Sequence, residues 1–391
     1  MVTSGVPSVV SIRRGNLKSI VNYLRDGKLA TKKEIAHGLS LSFATVSNLC
    51  NWLEEAGLIE SQPDYVQDKV GRTPKKVWLN TENRLIATAD IHKSNRMALR
   101  LYNLLGQPKA DAEFNYSPGD IHAFVEQFVS GYRQAFCAQT RSKVDMTGVA
   151  VSGIYDTKTD NIVASELGLF DGQPLKQMLS AALEMPVYVE NDANLSAFGI
   201  ARQVDSQNLV YIYIGEGLGI GVVTGGKSVK GVRGHAPEIC HAPLGILDSP
   251  CRLCGSKRCM QTDLSIYGFA EKFTGRPQTP GDQTGWEDFV KAYEKGQRDA
   301  LAVARENAGI LADALSIVVN LFDPEVVVIG GVPAKLFDEL SHTAGRAVAS
   351  RRVVYTAPAL RFFHDKNFDE TLLSGTGEMA YARWFPDNGW K

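Results

Sequence analysis

The run Leu209-Val-Tyr-Ile-Tyr-Ile-Gly-Glu-Gly-Leu-Gly-Ile-Gly-Val-Val223 holds two strand candidates, Leu209–Ile214 and Gly219–Val223, around a glycine-rich bend. Branched and aromatic side chains of this kind pack well on a pleated surface. Outward from this run the same texture recurs. Leu85–Asp90, Met97–Tyr102, Gly148–Val151, Val187–Val189 and Val326–Ile329 read as further strands. Ile121–Ala138, Leu175–Leu183 and Ala300–Leu321 read as helices between them. Strands alternating with helices predict an α/β body with mixed sheets. Leu104-Leu105-Gly106-Gln107 suits the turn of a hairpin near its start.

The amino-terminal segment has a different pattern. Leu17, Ile20, Val21 and Leu24 recur at helical spacing, which predicts one buried face over 14–26, stopped by Asp26-Gly27. Thr31 and Glu34 form a capping-box pair for a short second helix, with Ile35 and Leu39 facing inward. Gly38-Leu39-Ser40 turns the chain, and Ser42 opens a third helix through Val46, Leu49, Trp52 and Leu53 that Gly57 closes. Leu58 and Ile59 start a strand, and Lys75 to Leu79 return after a polar loop.

Three short helices followed by a hairpin make a winged helix-turn-helix. Its third helix enters the major groove of double-stranded DNA with its N-terminal side chains at base edges. Here those are Ser42, Phe43, Thr45, Ser47 and Asn48, and Asn48 has the donor and acceptor an adenine requires. The wing carries Lys69, Gly71-Arg72-Thr73-Pro74, Lys75 and Lys76, a tight turn that presents Arg72 to a minor groove or a phosphate. A winged helix can also serve only as a protein-interaction module. The helix spacing, the polar face and the basic wing together favour operator DNA.

Composition sets the outer bounds. A chain of 391 residues exceeds one ordinary core, and 44% hydrophobic with 22% charged residues is typical of a soluble globular protein. No run approaches the ~18 apolar residues of a membrane span. Polar Asn16, Lys18 and Asn22 interrupt the segment after Arg13 and Arg14, so no signal-peptide core is present and a cytoplasmic location is expected. Residues 1–80 hold 11 basic and 7 acidic side chains, a net of +4, whereas the remainder carries −5. A basic head on an acidic body fits one end placed against phosphates.

Four of the six cysteines lie within 20 residues, which favours a metal over disulfides in a chain without an export signal. His241, Cys251, Cys254 and Cys259 are spaced His-x9-Cys-x2-Cys-x4-Cys. One imidazole and three thiolates predict a closed, structural zinc site, one ion per chain.

Four segments resemble the ROK family (repressors, open reading frames and sugar kinases). They are Pro186-Val-Tyr-Val-Glu-Asn-Asp-Ala-Asn194, Ile214-Gly-Glu-Gly-Leu-Gly-Ile-Gly221, Glu238-Ile-Cys-His241 with the cysteines after it, and Asn320-Leu-Phe-Asp-Pro-Glu-Val-Val-Val-Ile-Gly-Gly331. The winged head is similar to that of the family's repressor branch. The resemblance implies a two-lobed, actin-like ATPase fold behind the head. Residues 1–80 would then form the DNA-binding domain and 81–391 the sugar-binding domain. Lobe one would span about 81–192 plus a C-terminal helix from about 374, and lobe two about 193–373 with the zinc loop at 241–259.

The resemblance also implies a sugar pocket at Gly153, Asn191, Asp192, Glu238, His241 and Gln261, the last standing where the family usually has Glu. Family spacing puts one residue between the first two zinc cysteines. Here there are two, so either the loop absorbs the extra residue or Cys240 replaces Cys251. The family's sugar-contacting loop is altered to Ser165-Glu-Leu-Gly-Leu-Phe170, and no residue is carried over from it.

Kinases of the family read Asp-x-Gly-Gly-Thr at the hairpin whose backbone cradles ATP phosphates, and this chain reads Asp90-Ile91-His92-Lys93-Ser94. Glu216 stands where the kinases usually have a threonine and would repel phosphate. A positioned carboxylate, Asp192, without a phosphoryl donor has nothing to drive. The expectation is a non-catalytic, sugar-responsive regulator, a repressor that binds operator DNA as a homodimer or homotetramer. A kinase with a regulatory head, or control by a sugar-transport protein, are the alternatives.

Overall fold

The structure is a computed structural model that describes residues 9–26, 29–63, 74–93, 95–136, 143–279, 281–351, 353 and 359–387. At the amino end, helices Val9–Arg25, Lys32–Gly38 and Phe43–Glu55 pack against a small sheet. Thr31 and Glu34 close the capping box, and Ser42 caps the third helix by accepting from the Thr45 N–H at 3.1 Å. Strand Lys75–Leu79 lies between Ile59–Pro63 and the two-residue strand Ala30–Thr31, so the expected hairpin gains a third member. Arg72 lies outside the described residues.

Leu17, Ile20, Val21, Leu24, Val46, Leu49 and Leu53 are buried together, as their spacing predicts. The same apolar cluster continues into Ile86, Leu104, Met146, Ala380, Tyr381 and Trp384. A boundary at residue 80 therefore crosses one continuous core. Apolar burial contributes about 25 cal/mol per Å², so this shared cluster favours the head staying packed on the body.

The body is built on two five-stranded mixed sheets. In the first, Val187–Asn191, Lys143–Val151 and Arg84–Asp90 run parallel, and Arg96–Asn103 and Pro108–Asn115 follow antiparallel. In the second, Lys227–Ser228, Leu218–Thr224 and Leu209–Ile214 are antiparallel neighbours, and Val326–Gly330 and Arg361–Asp365 continue in parallel. The hairpin turn expected at Leu104–Gln107 leads into the edge strand Pro108–Asn115, whose bounds the sequence reading did not assign, and the edge strand Arg361–Asp365 was not anticipated. Each faces solvent along much of its length and lacks the dense apolar pattern of a central strand. The short ribbon Ile154–Asp156 and Asn161–Ala164 was not anticipated either, because strands of three and four residues are too short to show an alternating pattern.

Two helices lie between the sheets, Asp192–Gln203 and Phe368–Asp387. The second begins before residue 374 because Phe368 starts it, with Asp369 and Glu370 complementing the positive end of the helix dipole. The pair cross at Gly199 and Gly375, where a Cβ on either glycine would collide with the partner backbone. That close approach fixes the start of the first helix, and with it Asp192, at the mouth of the cleft between the sheets.

Candidate functional site

Strand Val187–Asn191 runs directly into helix Asp192–Gln203, and the turn between them sets the site. Asn191 is the helix N-cap: its Oδ1 accepts from the Asn194 N–H, and its Nδ2 donates to the Gly153 carbonyl, both at 3.0 Å. Each end of the amide keeps one further hydrogen-bonding position. Gly153 has φ +131°, and a Cβ there would strike the Ala164 carbonyl, so only glycine lets the two loops meet.

Asp192 is buried, with Oδ1 accepting from the Ala193 N–H at 2.7 Å. Burial pushes its pKa up to about 6, against the pull of His92. Glu238, raised by burial, lies across the cleft with Oε2 3.3 Å from the Cys240 sulfur and 3.8 Å from His241 Nε2. Gly153, Asn191, Asp192, Glu238, His241 and Gln261 all line one cleft of about 280 Å³. That volume lies at the low end of ligand pockets, roughly 300–1,000 Å³, and suits a single sugar ring.

Several lining residues were missed by the sequence reading, among them Glu166, Tyr213, Arg252 and Tyr267. Glu166, in the altered loop 165–170, accepts a hydrogen bond from Gln261 Nε2 and covers Gly217 so closely that a Cβ there would collide with it. The loop is held firmly: Ser165 donates to the Ser152 carbonyl at 2.7 Å, and Asp171 accepts from the Ser165 N–H at 2.6 Å. The signal that could have found it is chemical complementarity, since a carboxylate has appeared in one loop and an amide at position 261.

The residues that differ from the phosphate hairpin are also in view. His92 is buried, with Nδ1 2.5 Å from Asp90 Oδ1 and its ring edge-on to Phe368 at 5.2 Å. Burial opposes a charge on this imidazole, but Asp90 outweighs it and holds the pKa above its ordinary range. Phe368 in turn stacks on Tyr213, with centroids 3.6 Å apart. Lys93 is tied to Asp369 at 3.1 Å. Side chains thus fill the ground where a glycine hairpin would expose backbone N–H groups.

Below the cleft, His241 Nδ1 lies 3.3 Å from the Cys259 sulfur and 3.6 Å from that of Cys251. With Cys254 these donor atoms all fall within 4.8 Å of one another. Zinc binds thiolates at about 2.3 Å and imidazole at about 2.0–2.1 Å, so donors at these separations can converge on one ion. Hydrogen bonding to Cys259, and then to His241, draws the Cys251 thiol well below its ordinary range, toward the thiolate a metal requires. Cys251 lies in this cluster with His241, Cys254 and Cys259, while the Cys240 thiol donates to Glu238. Among the described residues, the buried His241 Nε2 has no hydrogen-bond partner, and His241 is one of the residues that line the cleft.

On the head, Phe43 is 59% exposed and Asn48 is exposed, while Ser47 and Thr45 are half-buried. Ser42 and Thr45 share a 2.8 Å hydroxyl contact, so the cap engages them locally.

The sequence profile of the ROK family matches residues 107–358. The chain belongs to the ROK family. Among relatives, the xylose repressor of Caldicellulosiruptor bescii is 23% identical over 360 residues, 87% of this chain and 88% of that protein. The N-acetyl-D-glucosamine kinase of Escherichia coli O139:H28 is 29% identical over 198 residues, 47% of this chain and 64% of the kinase.

Among solved structures, this ROK chain is similar to a ROK family transcriptional regulator described as a homologue of the Escherichia coli Mlc protein. The TM-score is 0.81 at 20% identity, covering 96% of this chain and 97% of that one. A ROK glucokinase from Streptomyces griseus, solved with glucose and AMPPNP, gives 0.62 at 22% identity and covers 76% of this chain. The glucokinase thus shares the body fold, and the regulator shares the fold over nearly the whole ROK chain. Among the described residues, no helix is long and apolar enough to cross a membrane.

Proposed function

We propose that this ROK protein is a sugar-responsive transcriptional repressor that binds operator DNA through its winged head and does not transfer phosphate. The observation that carries this reading is the extent of the repressor match. The xylose repressor aligns over 87% of this chain, and the N-acetyl-D-glucosamine kinase over 47%. The site supports it, because Asp192 lines the cleft while His92, packed on Phe368 and bound to Asp90, takes the place of a phosphate-cradling glycine.

Zinc, held by His241, Cys251, Cys254 and Cys259, would fix the loop that carries His241 and stay out of the chemistry. A single head buries little surface on DNA, so a homodimer or homotetramer on a two-fold operator is part of the proposal.

The test is a mobility-shift titration of the DNA upstream of the chain's own gene and neighbouring sugar genes, with and without a sugar panel. Binding at moderate salt that a sugar weakens is the expected result. Failure to bind any of these fragments would remove the repressor reading. The retained Asp192 favours one second reading, a sugar kinase with a regulatory head. Sustained phosphate transfer from ATP and magnesium to a sugar would establish it.

A further inference from the structure

We propose that Phe43 reads thymine: its ring, on the first turn of the third helix, packs against a thymine methyl group in the major groove and fixes an A·T pair at that position of the operator half-site. The inference rests on the DNA-binding reading of the head and names the base that is recognised.

Phe43 does not serve the packing of the head. It is 59% exposed, although an aromatic ring has more to gain from burial than most side chains. The apolar cluster of the head is complete without it. Phe43 is neither in the buried set around Val46, Leu49 and Leu53 nor among the half-buried side chains packed on that set, such as Leu41 and Trp52. The Ser42 cap, at 3.1 Å from the Thr45 N–H, holds the turn that carries the ring. That turn is the N-terminal end of the helix, the end that meets base edges in a helix-turn-helix.

The neighbouring side chains narrow the chemistry. The exposed residues of helix Phe43–Glu55 are Phe43, Ala44, Asn48, Asn51, Glu54 and Glu55. None is Arg or Lys, the residue types that pair with guanine O6 and N7. Glu54 and Glu55 stand in the last turn, and Glu54 accepts from the Ser61 hydroxyl at 2.6 Å. Asn51 turns its Oδ1 to Lys32 Nζ at 2.6 Å. The groove end therefore presents two apolar groups, Phe43 and Ala44, and one amide, Asn48.

Thymine carries the one methyl group found on the major-groove edges of the four bases, and an amide pairs with adenine N6 and N7. Both features select A·T pairs. A phenyl ring pressed on any other base edge would cover donors or acceptors without replacing their hydrogen bonds, which costs free energy.

The test uses the full-length protein, metal retained, to select its tightest duplex from a random double-stranded library. Mobility shift at one fixed salt concentration then compares that duplex with copies in which single thymines are replaced by deoxyuridine. The replacement removes the methyl group and leaves the hydrogen-bonding edge and the phosphates in place. At one position of a half-site it should weaken wild-type binding about fourfold, the effect of unburying one methyl-sized group. Phe43→Ala should bind the thymine duplex about tenfold more weakly than wild type and should not distinguish thymine from deoxyuridine. Phe43→Leu keeps an apolar side chain and should keep the preference. The urea midpoint of Phe43→Ala should match wild type, because no buried contact is lost.

Wild-type binding that no deoxyuridine weakens overturns the inference and leaves the DNA-binding reading standing. So does a Phe43→Ala protein that still prefers thymine at the sensitive position, because the preference then arises elsewhere in the protein or in the DNA itself. A lowered midpoint would make Phe43 a packing residue and overturn the inference too. If no duplex is selected, both readings fall together.

Discussion

The Arg25 guanidinium lies in a fork against the Glu378 carboxylate, with both N–O contacts at 2.7 Å. Arg25 ends the first helix of the head, and Glu378 lies on the C-terminal helix of the body. The guanidinium also donates to the Leu104 carbonyl at 2.9 Å and covers the Tyr381 ring at 3.9 Å. Arg202 approaches the same carboxylate at 3.1 Å from the last turn of the helix that Asp192 begins. One rigid element therefore has its first residue in the ligand cleft and its last turn on the anchor of the head.

Glu378→Ala is predicted to uncouple the two ends. It leaves Arg25, 8% exposed at its side chain, without its counter-charge. Losing one partner of such a pair costs roughly 3 kcal/mol, read as a lower urea midpoint. Sugar affinity should stay within about twofold, because the mutation is remote from the cleft. Operator binding should lose its response to sugar. A Glu378→Ala protein that still releases DNA on sugar addition would show that the signal travels elsewhere.

The recognition helix gives a second prediction, with two mutations that differ in kind. Asn48→Ala removes an exposed amide from the proposed groove face and should weaken operator binding about tenfold, since a good base contact contributes ~1–3 kcal/mol. Ser42→Ala removes the cap on Thr45 and should cost about 1 kcal/mol of stability. Mobility shift and urea denaturation on both variants separate the two effects. Equal operator affinity in Asn48→Ala and wild type would move base readout to other residues.

The sequence made the apolar framework legible and left the interlobe contacts obscure. Leu17, Ile20, Val21 and Leu24 announced a buried face through their spacing, and Thr31 with Glu34 announced a helix start. Such signals are local, carried by residues within one or two turns of each other. Asn191-Asp192 and the cysteine array were legible through resemblance and ligand chemistry. Glu166 was not, because its meaning depends on Gln261, which is 95 residues away. Phe368 was invisible for the same reason: only the fold brings it between His92 and Tyr213. The turn at Leu104–Gln107 announced a return strand, but the extent of Pro108–Asn115 escaped because a solvent-facing edge needs few apolar residues.

Metal content is the third prediction. Purified without chelators, the protein should carry about one zinc per chain by elemental analysis. Cys259→Ser should lose the ion and melt at a lower temperature, since Cys259 is fully buried and its sulfur contacts His241. The loss should also weaken sugar binding, because His241 then loses the partner that holds its ring toward the cleft. A zinc-free wild-type protein with an unchanged melting curve would sink the structural-metal assignment.

Asp192 carries the last prediction, in which stability and ligand binding move in opposite directions. Burial raises its pKa to about 6, with Asp90 and Glu238 adding to the effect and His92 and the Ala193 N–H opposing it. In the unfolded chain an aspartate titrates near about 3.9. Between about pH 4 and pH 6 the native state therefore holds a proton that the unfolded state has released. The contribution of Asp192 to stability falls as pH rises through that window, by up to about 3 kcal/mol, and is constant above it. Asp192→Asn keeps an oxygen for the Ala193 N–H but never ionises, so it escapes this loss. Its stability relative to wild type should rise from pH 4 to pH 6 and then level off, while calorimetry shows sugar binding abolished. Urea denaturation of both proteins at pH 4.5 and 7.5 measures the difference, in which titrating groups remote from Asp192 cancel, while those that feel its charge, such as His92 and Glu166, contribute to it. A stability difference independent of pH would mean that Asp192 ionises as freely in the fold as in the unfolded chain.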